Sequence, residues 1–343
     1  MEINLLSDTV TKPTLGMLEA MMQAEVGDDV FGTDPTLNAL QEKAAALFGR
    51  EAALFFPSGT MANQVAIKVH TQPGEQVICH EWAHIFNFEG GGPAFNSGVS
   101  CSLISGNRGR FTAKDVLKKI SNREDIHQAV TSLVCVENTA NKGGGACWDI
   151  NEIKKINSVC KSNHLAFHLD GARLFNAMVA KNENPKQYGE LFDTISVCLS
   201  KGLGCPVGSL LIGDKKHLKK ALRYRKILGG GMRQAGYLAA AGIYALDHHI
   251  DRLSKDHENA KKIGQILNKA SYIKKVEPIS TNIIIFYTND DIDDAEFIKK
   301  LADKGVLVIG MGNSKLRMVF HLDITDVMVE KLIDILEKFE MFA

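Results

Sequence analysis

The sequence has no surplus of either charge: 40 Lys and Arg stand against 40 Asp and Glu in 343 residues. Without net positive charge to neutralise a phosphate backbone or an anionic surface, nucleic acid and membranes are not expected partners. No apolar run approaches the roughly 18–20 residues that cross a bilayer. The opening MEINLLSDTV has neither the basic start nor the long apolar core of a secretory signal. The 7 cysteines are scattered, odd in number and without a C-x-x-C pair, which argues against a disulfide framework and for a reducing compartment. Repeats and low-complexity tracts are also missing. These absences lead to the expectation of a soluble, cytoplasmic protein. Apolar residues at 45% and charged residues at 23% are ordinary globular usage, and the length fits roughly two domains.

Several catalytic strings are missing too. There is no G-x-x-x-x-G-K-[ST] phosphate loop and no G-x-S-x-G elbow. Gly202-Leu203-Gly204 followed by Gly208 has the wrong spacing for a dinucleotide fingerprint. One string is present but out of context. His80-Glu81-Trp82-Ala83-His84 matches H-E-x-x-H, yet zinc binding needs both histidines on one helix face and a third ligand. QVIC before it reads as a strand, GGGP follows closely, and no glutamate occurs between Glu89 and Glu124. No metal site is expected.

What the chain does have is alternation of strand-like and helix-like stretches, the pattern of an α/β protein. A helix is predicted from Asp34 as N-cap and Pro35, with an apolar stripe of Leu37, Leu40, Ala44 and Leu47 that ends at Gly49. Strands are predicted at Ala52–Phe56, Gln76–Cys79, Ser100–Ile104, Ser132–Glu137, Ala166–Asp170 and Thr194–Leu199, with helices at Met61–His70, Ala113–Ile120 and Ile150–Asn163 between them. Runs such as VICH, SLVCV and LAFHL are continuous enough for buried parallel strands. A long helical stretch from about Met232 to Lys269 follows, then a compact α+β unit. The domain reading is 1–250 for a large catalytic unit, N-terminal segment included, and 251–343 for a small C-terminal one.

Ligands of open α/β sheets bind at strand ends, and three ends carry suggestive residues. Phe55 to Asn63 reads as a strand running through Ser58-Gly59-Thr60 into a helix, and such a helix start is a seat for phosphate. Asp170 closes an apolar strand, where a carboxylate is costly unless it meets a cation. Lys201 ends another apolar strand between small residues, a partly desolvated position that favours the free, nucleophilic amine. Separately these are a capped helix, a turn aspartate and a surface lysine. Together they are what pyridoxal 5'-phosphate requires: a phosphate seat, an acid for the ring nitrogen and an amine for the aldehyde. His84, after another strand, is placed to lie on the ring.

At these residues the chain resembles the L-threonine aldolases of the β-eliminating lyase group. The strings that carry the resemblance are LLSDTVTKPT, GDDVFGTDPT, FFPSGTMANQ, HLDGARLFNA, SVCLSKGLGCPVGSLL and LGGGMRQAG, with a weaker continuation through KLRMVFH. The resemblance covers essentially the whole chain. It implies a pyridoxal-phosphate fold-type-I large domain with a mainly parallel sheet, a small C-terminal domain, and a homotetramer whose active sites are shared across a dimer interface. It makes Lys201 the Schiff-base lysine, Asp170 the pyridinium partner and His84 the residue stacked on the ring. Gly59 and Thr60 would hold the phosphate with Arg233 and Lys226, one of these two coming from a neighbouring subunit. Ser7, Arg173 and Arg317 would take the substrate carboxylate, Arg173 thus lying beside the cofactor as well.

The implied reaction is retro-aldol cleavage of a β-hydroxy-α-amino acid, threonine or allo-threonine, to glycine and an aldehyde. That would place the chain in threonine catabolism and glycine biosynthesis. One departure stands out. Where many relatives have Glu-Asn-Thr-His-Asn, this chain has Glu137-Asn138-Thr139-Ala140-Asn141, so His84 or a water must serve as base alone, or the substrate preference must differ. Phe31 and Phe88 stand where some relatives have tyrosine. The competing readings are a β-eliminating lyase or aminotransferase of the same fold and a non-catalytic subunit that keeps the fold.

Overall fold

The apolar runs predicted as strands bury both faces of a seven-stranded sheet in the computed structural model, which describes residues 1–339. In chain order the strands of the first part are β1 (Ile3–Asn4), β2 (Ala52–Phe56), β3 (Gln76–His80), β4 (Ser100–Ile104), β5 (Thr131–Glu137), β6 (Ala166–Gly171), β7 (Thr194–Cys198) and β8 (Ser209–Gly213). The large sheet runs β2-β8-β7-β6-β5-β3-β4. The pairs from β4 to β7 are parallel, whereas β8 runs against both β7 and β2. Alternation along the strands sends Ile78, Val134 and Val136 into one buried cluster and Val77, Cys79, Leu133 and Cys135 into another. That two-sided burial is why these strands read as unbroken apolar runs. Each such side chain, fully buried, is worth roughly 1.5–3 kcal/mol.

Helix starts follow the predicted capping chemistry. Asp34 Oδ1 accepts the N–H of Leu37 at 2.9 Å, and the helix runs Pro35–Leu47. The stretch expected as one helix is two, Gly236–His248 and Leu253–Leu267. They part at a turn in which the His249 ring sits 2.6 Å from the carbonyl oxygen of Leu203. The division at residue 250 falls in this turn.

The C-terminal strands are β9 (Ile273–Val276), β10 (Ile283–Thr288), β11 (Val306–Leu307), β12 (Ile309–Gly312) and β13 (Lys315–Val319). Four of them form the antiparallel sheet β12-β13-β10-β9. Phe286, Phe297, Leu301, Leu316 and Leu332 lie in its core. The N-terminal segment reaches across to these strands. β1 pairs in parallel with β11, Ile3 opposite Val306, and Ile3 and Leu5 are buried in the C-terminal core. The segment then returns to the large unit, where Thr11 Oγ1 donates to the Lys201 carbonyl at 3.0 Å.

Candidate active site

The parallel strands deliver their carboxyl ends to one edge of the large sheet, and the predicted residues collect there. Beyond β2, Ser58 caps the helix Gly59–His70, its Oγ accepting the N–H of Met61 at 3.2 Å. That cap leaves the N–H groups of Gly59 and Thr60 at the exposed positive end of the helix. Glycine is needed at 59 because a Cβ there would lie 2.7 Å from Cys198 Sγ. Beyond β7, Lys201 Nζ lies 3.5 Å from the same sulfur. Asp170, near the end of β6, is 2% exposed. Its Oδ1 accepts the N–H of Ala172 at 3.2 Å, while its buried Oδ2 has no partner. A buried carboxylate oxygen without a donor is expensive, so this atom marks the place of a missing cation or N–H.

Two cavities meet here. The inner one, about 300 Å³, is lined by Ser58, Gly59, Thr60, Asn63, Asp170 and Cys198 among others. The outer one, about 550 Å³, is lined by Ser7, Asn141, Lys142, Arg173, Met311 and Arg317 among others. His84 and Lys201 line both. Asp170 and Lys201 thus share one cavity, and the candidate carboxylate-binding residues open onto the lysine from its other side.

In the outer cavity, Arg173 is already engaged. Its Nε and Nη2 donate to the two oxygens of buried Asp8 at 2.7 and 2.6 Å, and Nη1 reaches Asn141 Oδ1 at 3.4 Å. Burial works against the Asp8 charge, but Arg173 outweighs it and holds the carboxyl below its ordinary range. Arg317 has no carboxylate partner among the described residues. Its Nη1 donates to Asn141 Oδ1 at 3.1 Å, its Nη2 to the Leu6 carbonyl at 3.0 Å, and its buried Nε to nothing. Asn141 therefore spaces the two guanidinium groups, leaving Arg317 as an uncompensated cation.

Three carboxylates absent from the sequence-level site turn out to organise it. Asp8 is the first. Glu137 accepts the backbone N–H of His84 and that of Asn141, each at 2.8 Å, stapling the two loops together. Burial, then the nearby Asp170 charge, raise its carboxyl to about 7. Glu89 lies 2.9 Å from His84 Nδ1 and accepts from Asn63 and Gln64 at 2.9 and 2.5 Å. Burial pushes the His84 ring down, but the Glu89 hydrogen bond and the charges of Asp170, Glu89 and Glu137 more than offset it, so the ring titrates above its usual value. With Nδ1 turned to Glu89, Nε2 is the ring atom free for chemistry. Sequence spacing offered one hint, since Glu89 lies five residues after His84.

Other predicted residues lie elsewhere. Arg233 pairs with Asp28 at 2.9 Å, and neither it nor Lys226 lines either cavity of its own chain. Ser7 lines the outer cavity, where its Oγ accepts from Thr9. His80 and His84 do not share a helix: His80 ends β3, its Nδ1 accepting the N–H of Trp82, and His84 opens the single turn His84–Asn87. Ala140 is 3% exposed and lines neither cavity. Its methyl group packs on the Gly106–Arg110 turn, so closely that a Cβ on Gly109 would come within 2.6 Å of it.

Comparison with known proteins agrees with this geometry. The family described as "Beta-eliminating lyase" matches residues 4–291. The chain is 42% identical over 323 residues to the "Low specificity L-threonine aldolase" of Escherichia coli (strain K12), covering 94% of this chain and 95% of that one. It is 39% identical over 329 residues to "Low-specificity L-threonine aldolase 1" of Arabidopsis thaliana, covering 94% and 92%. Among solved structures, the threonine aldolase of Leishmania major superposes with a TM-score of 0.83 over 98% of this chain and 99% of that one, at 20% identity.

Proposed function

The chain belongs to the beta-eliminating lyase family, among its L-threonine aldolases, and from that premise we propose that it cleaves L-threonine and L-allo-threonine to glycine and acetaldehyde with pyridoxal 5'-phosphate. The observation that carries this reading is the orphaned Oδ2 of Asp170 in the same cavity as Lys201 and the helix start at Gly59. These residues fit the cofactor on chemical grounds: a buried anion lacking a donor for the ring N–H, backbone N–H groups for the phosphate, and an amine for the aldehyde. Lys201, Asp170, Gly59, Thr60 and His84 would hold it. Bound there, pyridoxal phosphate supplies the electron sink that makes breaking a Cα–Cβ bond feasible at neutral pH.

The chain's own residues do the rest. Arg317, with help from the remaining nitrogen of Arg173 and from Ser7, takes the substrate carboxylate in charge-assisted hydrogen bonds. Fixing that group fixes the rotation about Cα and so decides which of its bonds is aligned to break. The β-hydroxyl proton goes to His84 Nε2, either directly or through a water held on it, and Glu89 steadies the ring as it gains charge. Asn141 keeps the two arginines apart so that Arg317 stays free for the ligand.

The assembly we assign is a homotetramer with sites shared between subunits. Leu15, Met22, Phe31, Phe95 and Ile227 are each 70–89% exposed, which supports burial against other copies. Arg233 and Lys226, removed from their own chain's cavities, fit a role at a neighbour's phosphate. Among the described residues no helix is long and apolar enough to cross a membrane. The place we assign is cytoplasmic, in threonine catabolism and glycine biosynthesis, which the free cysteines fit. The test is aldehyde and glycine release from both threonine diastereomers. Lys201→Ala should lower the rate by about 10⁴-fold or more. Wild-type turnover by that variant, or release of ammonia and a keto acid, would sink the reading.

A further inference from the structure

The outer cavity is larger than threonine requires and carries a cation that the proposed reaction does not use. No aspartate or glutamate lines it, whereas His84, Lys142, Arg173, Lys201 and Arg317 all do. Four of these already have a role. Arg173 is neutralised by Asp8, Arg317 faces the α-carboxylate, and Lys201 and His84 belong to the cofactor side. Lys142 has none. It is half-buried, has no carboxylate partner among the described residues, and rests its ammonium 5.6 Å from the centre of the Phe88 ring. A ring face is a weak counter-charge compared with a carboxylate. Lys142 directly follows Asn141, which touches both arginines, and Lys142 and Arg317 line the same cavity.

We propose that Lys142 is a specificity-determining residue that selects β-hydroxy-α-amino acids whose side chain ends in an anion, a carboxylate or a phosphate. Arg317 takes one negative end of the substrate and Lys142 the other, with the bond to be cleaved between them. This rests on the aldolase reading and keeps its balance. The Cα–Cβ bond breaks, the hydroxyl proton leaves as the carbonyl forms, Cα gains one proton, and the products are glycine and an aldehyde that retains the anion. Met311 and Ile309, which also line the cavity, offer no competing charge.

The test compares kcat/KM of the loaded enzyme for β-hydroxyglutamate and for the 4-O-phosphate of 4-hydroxythreonine with that for β-hydroxynorvaline, a neutral substrate of similar length. The wild type should favour the anionic substrates by about tenfold or more, the gain of a charge-assisted contact discounted for partial exposure. The two anionic arms distinguish carboxylate from phosphate. Lys142→Met should erase the preference, Lys142→Glu should invert it, and Lys142→Arg should keep it. A wild-type preference for the neutral substrate, or a ratio that none of the variants moves, overturns the proposal while allo-threonine cleavage still stands. Failure of the wild type to cleave allo-threonine as well takes down the aldolase reading and this inference together.

Discussion

The inner and outer cavities meet at His84 and Lys201, yet they are built in different ways. The inner wall comes mostly from strand ends of one sheet: Pro57 to Thr60 after β2, Asp170 in β6, and Cys198, Ser200 and Lys201 at the end of β7. Each group is fixed by the strand that carries it, and the sheet ladder sets the spacing. The outer wall is assembled from segments distant in sequence, residues 7–9, 84–88, 141–142 and 309–317 with Arg173, held by Asp8, Asn141 and Glu137. A wall cut from one sheet keeps its geometry as the sequence drifts, while a wall tied by polar contacts is adjusted by single substitutions. On the proposed reading, cofactor chemistry belongs to the first kind of surface and substrate choice to the second.

Removing the central tie of the outer wall should have the largest effect. Asp8→Ala leaves Arg173 buried and unpaired, a loss of about 3–5 kcal/mol in unfolding free energy by denaturant titration. In the folded fraction, the KM for threonine should rise while absorbance of the bound cofactor persists. Equal loss of both would break the distinction between the walls. The same pair sets an acid limit. Because the Asp8 carboxyl is held below its ordinary 3.8, the stability it contributes is present above that value and is lost as pH falls through the lower, folded value.

Ala140→His probes the seam between the walls. The side chain at 140 points at the 106–110 turn, so overpacking should cost about 1–3 kcal/mol, read as a lower melting temperature. A gain in cleavage rate with no loss of stability would mean that the ring reaches the outer cavity instead. The smallest effect is expected on the inner side. Glu89→Gln removes the contact that raises His84, and only the neutral ring accepts a proton. The acid limb of kcat/KM should therefore move to lower pH. A limb that stays in place would release Glu89 from its positioning role.

The contrast also explains what could be read from the sequence. Ser58-Gly59-Thr60, Asp170 and Lys201 were legible because each is a local event, an apolar run ending in a turn. Arg317 needed the resemblance, since a lysine- and arginine-bearing edge such as KLRMV reads equally well as solvated surface. Asp8 was passed over beside Ser7 because nothing local signals that it is fully buried against a side chain 165 positions away. Glu89 appeared only as the edge of a glutamate-free stretch, its role depending on the Asn63, Gln64 and His84 that fold around it. β8 was missed as a strand because SLLIG follows a glycine-rich loop, and its reversed direction is a property of the sheet alone. The break at His249 lies within a pattern that stays helical on both sides.

The parallel pairing of Ile3 with Val306 has a consequence for biosynthesis. The first strand leaves the ribosome about three hundred residues ahead of the strand it joins, and contacts so far apart in sequence form late. Ser7 and Asp8 hang from that strand, so the wall proposed for the amino acid takes its final shape only after residues 306–317 have been made.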